Sequence, residues 1–120
     1  MPGWQKVTDL ASLKRRKKCV ATLGDDEILV LYAEGRVYAL NNTCIHKGKK
    51  LARGLVFKGH IICPGHQWAF DLKTGWVDEW AQCQPTYAVR VEDGEVYVDP
   101  EPKVYRTKPC LAQEPERQEV

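Results

Sequence analysis

The fold of this chain is decided by residues 18–40, KCVATLGDDEILVLYAEGRVYAL, where three short apolar runs are separated by two turns. The runs cover residues 18–23, 27–33 and 36–40 and are rich in the β-branched and aromatic side chains that strands favour. Each turn contains a glycine, which adopts the backbone angles of tight turns at little cost. This stretch therefore predicts an antiparallel meander of three strands.

A second hairpin is predicted nearer the end of the chain. Two apolar runs, residues 87–91 and 95–98, flank the turn EDG at residues 92–94, and an Asp-Gly pair suits the positive φ angles of a tight hairpin. No long helical stripe of apolar residues is found, so the helical content is expected to be low. The pattern predicts an all-β fold over residues 1–99, either an antiparallel β-sandwich or a partly closed barrel.

Residues 9–17 are the one stretch that favours a helix. They predict one or two turns, with Asp9 as the N-cap before Leu10 and Leu13. The basic run KRRKK at residues 14–18 could bind nucleic acid, but no interleaved aromatic residues or RNA-binding motif accompany it. We interpret this run as a solvated loop before the first strand of the meander and expect no nucleic-acid partner, although it could help to dock an acidic reductase.

Composition and charge narrow the possible function classes. Of the 120 residues, 43% are hydrophobic and 28% are charged, which excludes a disordered or fibrous chain. No apolar run reaches the ~18 residues of a membrane-spanning helix, and the first residues lack the apolar core of a secretory signal. We therefore expect a cytoplasmic protein with no membrane partner. Residues 1–60 carry 12 Lys/Arg against 5 Asp/Glu, whereas residues 61–120 carry 6 against 11, so one end is expected to be basic.

The character of the chain changes after residue 99. Residues 100–120 contain four prolines, four glutamates and few large apolar side chains. Such a segment gains too little from burial to offset the entropy of ordering it, so we predict a C-terminal tail. Val104 and Tyr105 are the side chains in it that could pack back onto the domain.

Two similar loops in the middle of the chain carry the candidate metal-binding side chains. Cys44 and His46 form a C-x-H motif, and Cys63 and His66 form a C-x2-H motif, with 16 residues between His46 and Cys63. Thiolate and imidazole groups bind iron or zinc. In a Rieske centre, two histidines replace two cysteines on one iron of a 2Fe–2S cluster, and two matching loops that each supply one Cys and one His suit that arrangement.

The residues around these loops carry a resemblance. With Gly48 after the first histidine, WAFDLKTG at residues 68–75 and YAVRVEDGEVYV at residues 87–98, the chain resembles the Rieske iron–sulfur family over residues 4–98. It is most similar to the small soluble Rieske ferredoxins, which serve ring-hydroxylating and related oxygenases or form the small subunit of assimilatory NAD(P)H nitrite reductases. HKG at residues 46–48 and the WAFDLKTG run favour the nitrite reductase subunit. The resemblance implies a Rieske-like fold in which two hairpin loops form a cluster-binding subdomain.

The resemblance also implies one Rieske 2Fe–2S cluster and an electron-transfer role. Cys44 and Cys63 are then the ligands of one iron, and His46 and His66 those of the other. Because the protein fills every ligand position, no iron site is open to a substrate, and the chain is expected to be an electron carrier and not an enzyme. It is expected to accept single electrons from a reductase that contains flavin or an iron–sulfur centre and to pass them to a terminal oxygenase or a nitrite reductase.

The chain departs from one branch of the family. Rieske subunits of bc-type complexes have an additional disulfide between the two loops, and a Ser and a Tyr that hydrogen-bond the cluster or a ligand sulfur. The matching positions here are Lys49 and Gly65 for the disulfide, and Trp68 and Phe70 for the two hydroxyl groups. Fewer hydrogen bonds leave the reduced cluster less stabilised, so we expect a potential near the low end of the Rieske range of about −150 to +300 mV. Trp68 is expected to shield the cluster.

Two other interpretations of the four candidate ligands remain open. One structural zinc bound by two Cys and two His would make the chain a non-redox binding module, although zinc sites usually pair like ligands in C-x2–4-C or H-x3–5-H motifs. A Cys44–Cys63 disulfide of a secreted domain is the second, although five cysteines is an odd number and no signal segment is visible.

Charge and the remaining cysteines complete the expectations. Residues 44–70 contain five Lys/Arg and no Asp/Glu, a charge that favours the reduced cluster and can steer an acidic partner. His60 is expected at the surface or on an edge strand and not as a ligand. Three cysteines are given no role: Cys19 and Cys83 are expected in the core and Cys110 in the tail.

Overall fold

The computed structural model describes residues 4–33, 35–45, 50–64, 68–78 and 82–106. Within these residues the chain is built almost entirely of short strands. The strands are Gln5–Asp9 (β1), Lys18–Leu23 (β2), Asp26–Ala33 (β3), Arg36–Asn41 (β4), Leu55–Phe57 (β5), His60–Ile62 (β6), Ala69–Asp71 (β7), Trp76–Val77 (β8), Gln82–Cys83 (β9), Val89–Glu92 (β10) and Glu95–Val98 (β11). The α-helix Leu10–Arg16 (α1) and the 3-10 helix Leu51–Arg53 complete the described elements.

All the described strand pairs are antiparallel. They form three-stranded sheets in the orders β1-β11-β10, β2-β3-β4 and β5-β6-β7, and a two-stranded sheet of β8 and β9. The prediction of an all-β, antiparallel fold is confirmed. The partly closed barrel is not formed by the described residues, because these sheets remain separate and none of them closes on itself.

The meander β2-β3-β4 divides the molecule into two cores. Leu29 and Leu31 of β3 point into one core, whereas Ile28 and Val30 point into the other, because successive side chains of a strand face opposite sides. The first, here called the cysteine core, is formed by Leu29, Leu31, Tyr38, Leu40, Cys44, Leu51, Ile61, Cys63, Trp68, Phe70, Leu72 and Val77. The second, here called the terminal core, is formed by Leu13, Leu23, Ile28, Val30, Val37, Ala39, Tyr87, Val89, Val91, Val96 and Val98.

The helix predicted near the N-terminus is present. The side chain of its N-cap, Asp9, accepts a hydrogen bond of 2.8 Å from the Ser12 amide, and Leu13 is buried in the terminal core. The helix ends at Lys17, which adopts a left-handed φ of 71°. Lys14 to Arg16 form the last turn of α1, as the helix prediction for residues 9–17 has it and contrary to the interpretation of the basic run as a loop; cations there interact favourably with the helix dipole.

The predicted C-terminal hairpin is also confirmed. Strands β10 and β11 pair around Asp93 and Gly94, which have positive φ angles of 52° and 77°. Two consecutive positive φ angles are typical of the type I′ turn that an Asp-Gly pair favours. Strand β1 pairs with the other side of β11, so the first and the last described strand lie in one sheet over the terminal core.

The chain after β11 returns to the body of the protein through its main chain. Thr86 and Lys103 exchange two backbone hydrogen bonds, of 3.0 and 2.7 Å, and the Tyr105 amide lies 3.3 Å from the Cys83 sulfur. Val104 remains 57% exposed, so its side chain adds little to this contact. Residues 107–120, with Cys110, lie outside the described residues, and the predicted boundary between domain and tail at residue 99 stays a prediction.

Candidate metal centre

The first candidate cysteine follows strand β4, at the start of the loop of residues 43–50, called the first loop here. Its base is closed by a bridge between Thr43 and Lys50. Asn42 reinforces the closure, because its carbonyl accepts from the Leu51 amide at 2.7 Å and its side-chain oxygen accepts from the Ala52 amide at 2.8 Å. Cys44 is 2% exposed and joins the cysteine core, so the fold turns this thiol inward.

The second candidate cysteine follows strand β6, at the start of the loop of residues 63–68, called the second loop here. The Cys63 amide donates to the Trp68 carbonyl at 2.8 Å, which extends the pairing of β6 with β7 and closes the base of this loop. Cys63 is fully buried, and its sulfur lies 3.4 Å from the Pro64 carbonyl oxygen. Both loop bases therefore carry a buried cysteine shortly after a strand, Cys63 directly after β6 and Cys44 three residues after the end of β4.

The structure brings both candidate cysteines into one core. Cys44 and Cys63 share the cysteine core with Leu51, Trp68 and Phe70, which surround them with apolar side chains. No disulfide joins the two cysteines, so the alternative of a Cys44–Cys63 bridge is wrong. The other two predicted ligands, His46 and His66, lie outside the described residues.

The residues present fit an iron–sulfur cluster. Two thiols on separate loops, buried in the same apolar core, offer two sulfur ligands with little access for water. Thiolate sulfur is the donor that iron–sulfur clusters and zinc both accept. Among the described residues, no three His, Cys, Asp or Glu side chains are grouped so that they could hold a metal ion.

Gln84 supports the first loop and was missed by the sequence analysis. Its side chain is fully buried, and its Nε2 donates to the Asn41 and Thr43 carbonyl oxygens, both at 2.7 Å. Its Oε1 accepts from the Ile45 amide at 3.0 Å. The sequence around Gln84 gives no signal that its side chain supports the first loop, because the groups that it binds lie about 40 residues earlier in the chain.

Glu27 at the start of β3 supports the same loop from the outside. Its carboxylate accepts from Lys50 Nζ at 2.9 Å and from Asn42 Nδ2 at 3.2 Å, and so links the two sides of the loop base. These two hydrogen bonds, that from Lys50 first, lower the pKa of Glu27 below its usual 4.5. The ion pair with Glu27 therefore partly neutralises the positive charge of Lys50, which is one of the five basic residues counted in residues 44–70.

One lysine, Lys18, and one glycine, Gly75, connect the chain that follows each loop to the rest of the fold. Lys18 Nζ donates to the carbonyl oxygens of Ala52 and Gly54, at 2.7 and 3.2 Å, and so connects β2 to the chain just after the first loop. Gly75 has a φ of +79°, and a Cβ atom there would lie 2.0 Å from the Gln84 carbonyl oxygen. Glycine is therefore required where the chain that follows the second loop passes Gln84.

The other predicted positions have mixed outcomes. His60 begins β6, the central strand of its sheet and not an edge strand, and its Nδ1 lies 3.0 Å from the Lys58 carbonyl oxygen. Cys83 is buried as predicted, and its thiol donates to the Thr74 carbonyl at 3.2 Å. Cys19 is half-buried against the terminal core. Burial raises the pKa of both thiols, which keeps them in the less reactive protonated form.

Comparison with known proteins decides the family. The model of the Rieske [2Fe-2S] domain matches residues 3–100, which is most of the chain. This chain belongs to the Rieske family. Membership implies one Rieske 2Fe–2S cluster, and the alternative of a single structural zinc is therefore not supported.

Two relatives of this Rieske domain are ferredoxin components of oxygenase systems. It is 32% identical over 85 residues, 69% of this chain and 70% of the relative, to the ferredoxin component of an alkene monooxygenase system from Xanthobacter autotrophicus. It is 29% identical over 102 residues, 80% of this chain and 94% of the relative, to the ferredoxin component of a naphthalene 1,2-dioxygenase system from Pseudomonas putida.

A solved structure confirms the fold of this Rieske domain. The similar chain occurs in a complex of reduced oxygenase and oxidized ferredoxin in carbazole 1,9a-dioxygenase, with 27% identity and a TM-score of 0.77. The match covers 88% of this chain and 100% of the other. Within the described residues, no helix has the length and apolar character needed to cross a membrane.

Proposed function

We propose that this chain is a Rieske ferredoxin that carries single electrons from a reductase to a terminal oxygenase. In this proposal Cys44 and Cys63 bind one iron of the cluster, and His46 and His66 bind the other. With every ligand position filled by protein, the cluster exchanges electrons and does not bind substrate. The reductase is expected to contain flavin or an iron–sulfur centre.

The burial of Cys44 and Cys63 in one core is the observation that carries this proposal. The two thiols stand at equivalent positions of two similarly closed loops, in a chain that belongs to the Rieske family. The relatives named above are ferredoxin components, which supports a carrier and not a catalytic subunit. The protein is proposed to act in the cytoplasm, where thiols stay reduced.

An oxygenase is proposed as the electron acceptor because of the relatives. Those named here serve an alkene monooxygenase and a naphthalene dioxygenase, and the similar solved chain is in a complex with an oxygenase. The HKG triplet at residues 46–48 had favoured a nitrite reductase subunit. A nitrite reductase is therefore the alternative electron acceptor, and the test must compare it with an oxygenase.

The cluster and its ligands are tested by purification of single variants. The wild-type chain is expected to be brown, to bleach with dithionite and to contain two iron and two acid-labile sulfide ions per chain, as a 2Fe–2S cluster requires. Cys44→Ser and Cys63→Ser are expected to lose the cluster, whereas Cys83→Ser, a matched change of a third buried cysteine, is expected to keep it. A colourless wild-type chain with one bound zinc would overturn the proposal.

The acceptor is tested with the chemically reduced protein. Reoxidation is followed by absorbance in the presence of a Rieske-type oxygenase with its substrate, and separately with a nitrite reductase catalytic subunit and nitrite. Fast reoxidation by the oxygenase is the expected result. If only the nitrite reductase subunit reoxidises the protein quickly, the proposed acceptor is wrong, but the proposed role as an electron carrier stands.

A further inference from the structure

Gln84 is the fully buried polar side chain that contacts the first loop most extensively. Three main-chain groups of residues 41–45 bind its amide: two carbonyl oxygens accept from Nε2, and one N–H donates to Oε1. A primary amide is the neutral side-chain group that donates two hydrogen bonds and accepts at a second atom, so the pattern is specific to Asn or Gln. The two groups nearest Cys44, the Thr43 carbonyl and the Ile45 amide, are both held by it.

We propose that Gln84 is a positioning residue that fixes the main chain on both sides of Cys44 and thereby fixes this ligand relative to the second loop. The inference rests on the proposed function, in which Cys44 binds the cluster. Gln84 acts through Cys44 and has no chemical step of its own.

The segment that carries Gln84 shows how this support arises. Thr86 forms a β-bridge with Leu40, and the Pro85 carbonyl accepts from the Asn41 amide at 2.9 Å. The Gln84 side chain, itself fully buried, continues this pairing toward the first loop by hydrogen bonds to the Asn41 and Thr43 carbonyl oxygens and the Ile45 amide.

The main chain of Gln84 is also tied to the chain that follows the second loop and β7. Its amide donates to the Gly75 carbonyl at 2.7 Å, and Gly75 follows β7, the strand into which the second loop leads. Gly75 has no side chain, so the two backbones can approach closely. One residue thus contacts the first loop through its side chain and the support of the second loop through its main chain.

Two substitutions remove this support without a large change of volume. Gln84→Glu keeps an acceptor for the Ile45 amide but removes both N–H donors and places a carboxylate against two carbonyl oxygens. Gln84→Met removes all three hydrogen bonds. The matched control is Gln82→Glu, the same change two residues earlier at an exposed position.

Cluster release and spectra measure the effect in the holoprotein. Release of iron to an added chelator is expected to be roughly tenfold faster or more in Gln84→Glu and Gln84→Met, because the main chain on both sides of Cys44 loses the hydrogen bonds that hold it. The electron paramagnetic resonance spectrum of the reduced cluster and the reduction potential are expected to shift. Gln82→Glu is expected to match wild type in all three measurements.

General loss of stability is separated from positioning by Val96→Ala. Val96 is fully buried in the terminal core, on the other side of the central sheet, so its truncation destabilises the fold without contact to either loop. Val96→Ala is expected to lower the free energy of unfolding but to leave the spectrum and potential unchanged. Equal spectral shifts and release rates in Val96→Ala and the Gln84 variants would show a merely structural role and overturn the inference.

Hydrogen exchange of the wild-type chain tests the contact itself. The Ile45 amide is expected to exchange at least about tenfold more slowly than an unprotected amide, since Gln84 Oε1 accepts from it. Exchange at the unprotected rate would overturn the inference even if the chain carries a Rieske cluster. A protected Ile45 amide in a chain without a Rieske cluster would instead overturn the proposed function and leave the hydrogen bond intact.

Discussion

At the scale of single residues, the described cysteines differ by what surrounds them. Cys44 and Cys63 lie in one core at the bases of two loops, whereas Cys83 is held by the Thr74 carbonyl and Cys19 packs against the other core. Burial alone therefore does not distinguish the two proposed ligands from Cys83, which is also buried. Spacing to a histidine distinguished the first pair in the sequence, and location in one core now supports that choice.

Replacement of a histidine ligand by cysteine tests the charge of the cluster. An oxidised cluster with two thiolates and two neutral imidazoles has no net charge, and His46→Cys adds one negative charge that opposes reduction. The potential is expected to fall by about 125 mV, half the interval between about −150 mV for low-potential Rieske centres and about −400 mV for all-cysteine ferredoxins. Protein-film voltammetry measures it.

The control for this variant is His60→Cys. His60 lies on β6 and is not among the proposed ligands, so its replacement is expected to leave the potential unchanged. An unchanged or raised potential in His46→Cys would contradict the charge argument.

Glu27 gives a prediction on pH. Its pKa is lowered by hydrogen bonds from Lys50 and Asn42, so its contribution to stability is present above pH 4.5, its usual pKa, and is lost as the pH falls through the lowered value. Glu27→Gln is therefore expected to be less stable than wild type at pH 7, with a difference that shrinks at pH 3. Urea unfolding at both pH values measures this.

Salt and a second variant check the origin of that effect. Both side chains of the Glu27–Lys50 pair are nearly half exposed, so high salt is expected to reduce the difference at pH 7. Glu101→Gln, the same change at an exposed position after the last strand, is the control and is expected to be as stable as wild type at pH 7. A difference between wild type and Glu27→Gln that persists at pH 3 would rule out the carboxylate as its cause.

At the scale of elements, the turns and the C-terminal segment determine how the loops are supported. Hairpin turns such as Asp93-Gly94 depend on local backbone angles, which the sequence specifies. The contacts of Gly75 with Gln84, and of Lys103 with Thr86, join segments that are distant in sequence. Two predictions separate these local and distant contributions.

The first compares two glycines with nearly equal backbone angles. Gly59 and Gly75 have φ angles of 78° and 79°, but a Cβ at Gly59 meets no atom within 4 Å, whereas one at Gly75 lies 2.0 Å from the Gln84 carbonyl oxygen. Gly59→Ala is expected to cost about 1 kcal/mol for the left-handed angle. Gly75→Ala is expected to cost about 1–3 kcal/mol more because the backbone must shift. Equal losses in urea unfolding would contradict the contact.

The second tests the segment after β11 by truncation. Removal of residues 100–120 deletes the two Thr86–Lys103 hydrogen bonds and the contact of the Tyr105 amide with Cys83. The free energy of unfolding is expected to fall by about 2 kcal/mol, and the Thr86 amide to exchange faster. Removal of residues 107–120 alone keeps these bonds and is the control. A chain of residues 1–99 as stable as the control would show that the segment adds nothing to the domain.

At the scale of the whole molecule, the central meander separates the cysteine core from the sheet of β1, β10 and β11. Strands β3 and β4 are buried on both faces, with the cysteine core on one side and the terminal core on the other. The exposed apolar side chains of β5, Leu55 and Phe57, lie on the half that carries the loops, next to exposed Arg53 and Lys58. This half therefore offers a surface of mixed apolar and basic character to a partner.

Charge on this surface is expected to set the association rate. Arg53→Glu is expected to slow electron transfer to the terminal oxygenase several-fold at low salt, and the difference should vanish near 1 M salt, where the Debye length is about 3 Å. Arg106→Glu, the same charge change at an exposed position near the C-terminal end, is the control. Stopped-flow kinetics across a salt series measures both, and equal rates for the two variants would exclude local steering.

The sequence by itself determined the strands of the meander and of the C-terminal hairpin, the capped helix and the Asp-Gly turn, because periodicity and capping depend on residues close together in the chain. Spacing selected Cys44 and Cys63 as proposed ligands. The sequence did not place His60 on a central strand. Only the tertiary structure decided that both thiols share one core and that the meander is buried on both faces. It also decided that Gln84 binds a loop some 40 residues away, because such contacts depend on how distant segments pack and leave no periodic signal in the sequence.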